Sequence, residues 1–110
     1  MAGLVKGDVV VIPFPFSNLS DSKRRPALVL SPLDGDDLIL CQITSRQVRD
    51  RYAVLLSDED FANGSLKQPS NARPNRIFTA DRNLVLYRIG KLRLAKLNEV
   101  VGRLIEILQQ

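Results

Sequence analysis

The 110-residue sequence carries 16 lysines and arginines against 12 aspartates and glutamates, a formal net charge of +4, with 45% hydrophobic residues. That is enough apolar material for one core and too little charge for a disordered chain, so a single domain over residues 1–110 is expected. Histidine is absent, which excludes a histidine-based triad, a two-histidine nuclease mechanism and nearly all zinc enzymes.

In chain order, Gly7-Asp8 opens the β-branched run Val9–Ile12, the pattern of a buried strand. Pro13 and Pro15 then interrupt the ladder, because proline has no amide hydrogen to donate. Asn18 to Arg25 is polar and charged and reads as a flexible connection. Ala27–Ser31 and Leu38–Thr44 form a predicted hairpin around the turn residues Asp34-Gly35. Cys41, the only cysteine, sits in the apolar run from Leu38 and reads as a buried, unreactive thiol. A lone cysteine forms no intramolecular disulfide, so a cytoplasmic setting is expected. No apolar run approaches the roughly 20 residues needed to span a membrane, and no secretory signal pattern opens the sequence.

Arg46 to Arg51 is a second basic cluster, followed by a short strand at Tyr52–Leu56. Asp58 to Asn71, with Gly64 and Pro69, reads as a long loop holding at most one short strand or helical turn. Arg76–Ala80 and Leu84–Tyr87 are the last predicted strands, split by Asp81-Arg82-Asn83. Five or six short strands this close together predict a small barrel. From Leu92 the period changes: Leu94, Leu97, Val100, Val101, Leu104, Ile105 and Leu108 give one apolar helical face. This is a helix capping the barrel. Glu99 and Glu106 balance Lys96 and Arg103, which argues against binding to anionic lipid.

The cations concentrate in three segments, Lys23–Arg25, Arg46–Arg51 and Arg73–Arg82. Loops gathered at one end of a barrel would join them into a groove for an anionic polymer, and guanidinium forks match phosphate oxygens. Phe14, Phe16, Tyr52 and Phe78 flank these segments, as bases to be stacked on would require. The plainer readings are a solvated charged face and core phenylalanines. RNA supplies its own nucleophile in the 2′-hydroxyl, so arginines and a hydroxyl donor suffice to position it and stabilise charge on the phosphate. Thr44, at a strand end beside Ser45 and Arg46, is suited to that role, although threonine also favours strands in general.

Four stretches in order, GDVVVIPFPF, KRRPALVLS, CQITSR and QPSNARPNRIFTAD followed by IGKL and the helix, resemble the PemK/MazF family of toxin endoribonucleases over most of the chain. The resemblance implies a mainly β (α+β) fold, an SH3-like small β-barrel with a C-terminal α-helix, usually a homodimer. It implies cleavage of single-stranded RNA, commonly mRNA at a short sequence, without metal or other cofactor. The products would be a 2′,3′-cyclic phosphate and a 5′-hydroxyl, and a cognate antitoxin would fill the RNA groove. By motif, Arg25 before Pro26 corresponds to the central catalytic arginine and Thr44 to the active-site threonine. Lys23 and Arg24 are the expected backbone-binding neighbours, with Ser45, Arg46, Arg73, Asn75 and Arg76 completing the RNA-binding set. The chain departs from the family at Arg73-Pro74-Asn75, where relatives often carry an aspartate assigned as the base. Asparagine takes no proton at useful pH, so base duty falls to water, to Asp21, or to no protein group. An inactive SH3-like module that binds RNA or a protein is the alternative reading.

Overall fold

Seven antiparallel strands and one helix are built by the computed structural model, which describes residues 3–14 and 23–110. The strands are β1 (Asp8–Phe14), β2 (Lys23–Pro32), β3 (Asp37–Thr44), β4 (Val54–Leu56), β5 (Phe61–Gly64), β6 (Ser70–Asp81) and β7 (Tyr87–Leu92). The helix α1 spans Leu94–Gln109. The strands pair in the order β4-β6-β3-β2-β1-β7-β5, and the sheet curls into a half-barrel. The curl has a local cause. Register shifts interrupt the β1–β7, β2–β3, β3–β6 and β5–β7 ladders, and each bulge bends its strand and increases the twist.

Both faces of the sheet are covered. Val9, Leu28, Leu30, Cys41, Ile43, Val54, Leu56 and Ala72 pack with Leu97 and Val100 of α1. On the other face Val10, Ile12, Ala27, Val29, Leu38, Leu40 and Ala80 pack with Leu4, Phe78 and Val85. The β-branched run of β1 is therefore buried along its whole length, as its continuous apolar character predicts. Asp8, only 2% exposed, locks this strand in place. Its carboxylate accepts from the Val5 amide at 2.8 Å and from Arg88 Nε of β7 at 3.0 Å, and Arg88 Nη2 reaches Asn63 of β5 at 2.9 Å.

Several elements differ from the sequence expectation. Lys23–Arg25 are strand, not flexible connection, because β1 continues through Pro13 and supplies partners: Ile12, Pro13 and Phe14 pair with Arg25, Arg24 and Lys23. Pro13 is tolerated there because the β1–β7 pairing stops at Val11, leaving one edge on which no amide is needed. Pro15, Phe16 and Asp21 lie outside the described residues. The strand expected at Leu84–Tyr87 begins only at Tyr87, since the Asp81 carboxylate caps a 3₁₀ turn at Arg82–Leu84 by accepting from the Asn83 amide. The extended IGKL segment belongs to that strand, so α1 starts at Leu94 rather than Leu92. The expected loop at 58–71 holds both a 3₁₀ turn, Asp58–Asp60, and β5. No described helix is long and apolar enough to cross a membrane.

Two glycines give opposite expectations. A methyl group at Gly102 of α1 meets nothing within 4 Å, so Gly102→Ala should raise stability by about 1 kcal/mol, read as a higher melting temperature. At Gly90 a methyl group would collide with the Asn63 carbonyl across the β5–β7 crossing. Gly90→Ala should lower stability by roughly 1–3 kcal/mol in the same assay.

Candidate active site

The second apolar face turns polar at one end. Register partners Val10, Ala27, Gln42 and Arg73 form one row across β1, β2, β3 and β6. Two residues farther along their strands, Ile12, Arg25 and Thr44 lie on the same face, because side chains alternate with period two. Together they bound a cleft of about 260 Å³ whose lining also includes Phe14, Pro26, Ile43, Arg46 and Phe78. Phe14 and Phe78 form its apolar wall, their ring centroids 5.8 Å apart and tilted by 54°.

Arg73 reaches this face through an irregularity in β6. Ile77 pairs with Cys41 but Arg73 pairs with Gln42, so Pro74, Asn75 and Arg76 are extra residues in the ladder. Three extra residues reverse the alternation. Phe78 and Ala80 line the cleft face above the bulge and odd-numbered Arg73 lines it below. Without the bulge Arg73 would point to the helix-covered face.

Among the described residues the cleft lining carries three arginines, Arg25, Arg46 and Arg73, and no carboxylate. Among the described residues Arg25 has no ion-pair partner, and it is exposed at the strand end. Thr44 Oγ1 accepts from the Arg46 amide at 3.1 Å, which fixes the hydroxyl while leaving its own proton to donate. A second concavity of about 350 Å³ shares Thr44, Arg46 and Arg73 and continues along Gln47, Val48, Arg49 and Asp50. The two together form one trough.

The structure thus brings together Arg25, Thr44, Arg46 and Arg73 of the residues expected from sequence. Lys23 lies opposite Phe14 on the same face as Arg25, beyond the lining of the cleft, whereas Arg24 alternates to the other face. Ser45 is exposed beside Thr44. Asn75 and Arg76 are exposed on the bulge and do not line the cleft. Among the described residues no three His, Cys, Asp or Glu side chains gather where a metal ion would be held.

Asp50 was not singled out by the sequence reading. Its Oδ2 lies 3.0 Å from Arg73 Nη2, and its Oδ1 accepts from the Tyr52 and Ala53 amides at 2.9 and 3.2 Å. The local half of this arrangement was detectable, since aspartate before a strand commonly captures amides two residues on. Its pairing with Arg73, 23 residues away, leaves no local signal. Desolvation works to raise the Asp50 pKa, but the two amides and the Arg73 guanidinium outweigh it and hold the carboxyl below its ordinary value. Burial pushes the Cys41 thiol up to about 12 against one opposing hydrogen bond from the Arg73 amide, as suits an unreactive core thiol.

Residues 5–108 match the sequence profile of the PemK-like, MazF-like toxins of type II toxin–antitoxin systems. The chain belongs to that family. Solved PemK/MazF-like structures share its fold. It is similar to a mycobacterial endoribonuclease in complex with its cognate antitoxin, at 14% identity and a TM-score of 0.77, covering 97% of this chain and 96% of that one. It is similar also to MazF from Deinococcus radiodurans, at 24% identity, TM-score 0.74 and 97% coverage of both chains. The MazE–MazF structure from the same organism gives 25% identity and a TM-score of 0.74, covering 97% of this chain and 96% of that one. A search of curated proteins by sequence found no match.

A carboxylate with a depressed pKa stabilises the fold above its unfolded value and loses that contribution as pH falls through the folded value. Asp50→Asn should therefore melt below wild type near neutral pH, and the gap should narrow as pH falls through and below the ordinary carboxylate range, measured by thermal unfolding across that range.

Proposed function

We propose that this PemK/MazF-like chain is a metal-independent endoribonuclease toxin that cuts single-stranded RNA, in the cell mRNA, at a short sequence. The observation that carries this reading is the clustering of Arg25, Thr44, Arg46 and Arg73 on one sheet face beside an aromatic wall, with no carboxylate among the described residues of the lining. Such a cleft attracts a phosphodiester and offers an apolar surface to an unpaired base. The RNA 2′-oxygen attacks the adjacent phosphorus, and the bond to the 5′-oxygen breaks. A 2′,3′-cyclic phosphate and a 5′-hydroxyl result. Arg25 neutralises the charge that develops on the phosphoryl oxygens, and Thr44 donates a hydrogen bond to one of them. Arg73 and Arg46 hold the flanking backbone.

The 2′-hydroxyl proton passes to water, and water supplies the proton that the departing 5′-oxygen takes up. Asn75 cannot accept it, and the bulge holds Asn75 outside the cleft lining. The same observation favours the second reading, an RNA-binding module that has lost cleavage. Cytoplasmic location, a second copy of the chain and a cognate antitoxin seated over the trough complete the proposal. The relatives in complex with antitoxins support the last of these.

The test incubates purified protein with a long single-stranded RNA in EDTA. Wild type should give discrete fragments ending in cyclic phosphate. Arg25→Ala should lower the cleavage rate by about 10²–10³-fold, the cost of removing one charged transition-state donor. Thr44→Val, which loses one neutral hydrogen bond, should cost on the order of tenfold. Uncut RNA that wild type nonetheless binds with salt-dependent affinity would establish the binding module instead.

A further inference from the structure

Among the described residues Asp50 is the carboxylate in contact with a cleft arginine, and the chemistry above gives it no part. Both of its oxygens are committed. Oδ1 is held by the Tyr52 and Ala53 amides and Oδ2 faces Arg73 Nη2, so the carboxylate has a fixed direction before any ligand arrives. The turn that carries it is itself anchored. Arg103 Nη1 of α1 donates to the Arg51 carbonyl at 2.8 Å, and Gln110 Nε2 donates to the Tyr52 hydroxyl at 3.2 Å. Directly beyond the turn, Val54 of β4 pairs with Ala72, the residue before Arg73. Asp50 and Arg73 are thus mounted on adjoining, hydrogen-bonded backbone.

The geometry points to Asp50 as the positioning residue for Arg73: its carboxylate grips one end of the guanidinium so that the arginine presents a single orientation to an RNA phosphate. This rests on the proposed ribonuclease reading of the cleft. An arginine side chain has many rotamers, and a partner that removes this freedom beforehand lowers the entropic cost of each contact made later. Asp50 lines the adjoining concavity, but both of its oxygens are engaged, Oδ1 by the Tyr52 and Ala53 amides and Oδ2 by Arg73, so it is given a positioning role and not that of the base. A second role fits the same contact with opposite consequences. If Asp50 merely neutralised Arg73, it would compete with the phosphate and its removal would tighten RNA binding.

The experiment measures kcat and KM on one long single-stranded RNA for wild type, Asp50→Asn and Asp50→Glu. Asp50→Asn is repeated in an Arg73→Ala background, with melting temperatures recorded for all. Asparagine keeps an oxygen for the two amides, so the turn is retained. Asp50→Asn should lower kcat by about 10–100-fold with a smaller change in KM, and Asp50→Glu should restore part of the loss. In the Arg73→Ala background Asp50→Asn should have no further effect, since Asp50 acts only through that arginine. Equal losses in both backgrounds, or a faster or more tightly binding Asp50→Asn, would overturn the assignment. If wild type binds the RNA without cutting it, the ribonuclease reading fails and the affinities of the same variants decide separately. Weakened binding by Asp50→Asn that vanishes in Arg73→Ala upholds the positioning role, and independent effects reject it.

Discussion

A β-strand can present a residue to only one of two faces, and here that constraint decides whether a cleft exists at all. β6 must cover the core with Phe78 and Ala80 while offering Arg73 to the same face, which strict alternation forbids. The extra residues Pro74, Asn75 and Arg76 resolve the conflict by resetting the phase of the strand. Pro74 lacks an amide hydrogen, so it suits a segment that has left the ladder. The row Val10–Ala27–Gln42–Arg73 then crosses four strands, and the apolar floor gives way to Arg25 on β2, Thr44 on β3 and Arg73 on β6.

Charge is arranged with similar economy. Among the described residues no acidic side chain lines the cleft, while several sit where they stabilise the frame. Asp8 ties β1 to β7, Asp60 completes a turn by accepting from Ser57, and Asp81 caps another. The cleft arginines therefore act in a site with little opposing charge, where an anion is bound more strongly than at a mixed surface. Asp50 is the informative intermediate case: it pairs with Arg73 and lines the adjoining concavity, outside the lining of the cleft itself.

Much of this was legible in the sequence. The runs Val9–Ile12, Ala27–Ser31 and Leu38–Thr44, and the helical period from Leu94, identify their own elements because burial on one or both faces demands those residues. Thr44 was singled out by its place at a strand end, and Arg25 by the family motif in which it precedes Pro26. What escaped depends on contacts between distant segments. Lys23–Arg25 become strand only because β1 extends past Pro13, and Arg73 meets Asp50 only after β4 and β6 pair. A period-two reading of β6 puts Arg73 and Phe78 on opposite faces, and the bulge that overrides it depends on pairing with β3.

The strand order also bears on how the molecule comes into being. β1, near the start of the chain, is central in the sheet and pairs on one side with β7, so Asp8 finds Lys91 across more than 80 intervening residues. Closing so large a loop costs entropy before any contact repays it, which places such a topology among slow folders. During synthesis β1, β2 and β3 emerge first and can associate, while the inner edge of β1 stays bare until β7 has been made. The α1 helix follows later still, and with it the cover over half the core. Until β7 and α1 have both been made, a growing chain of this kind therefore remains an incomplete, open-edged sheet.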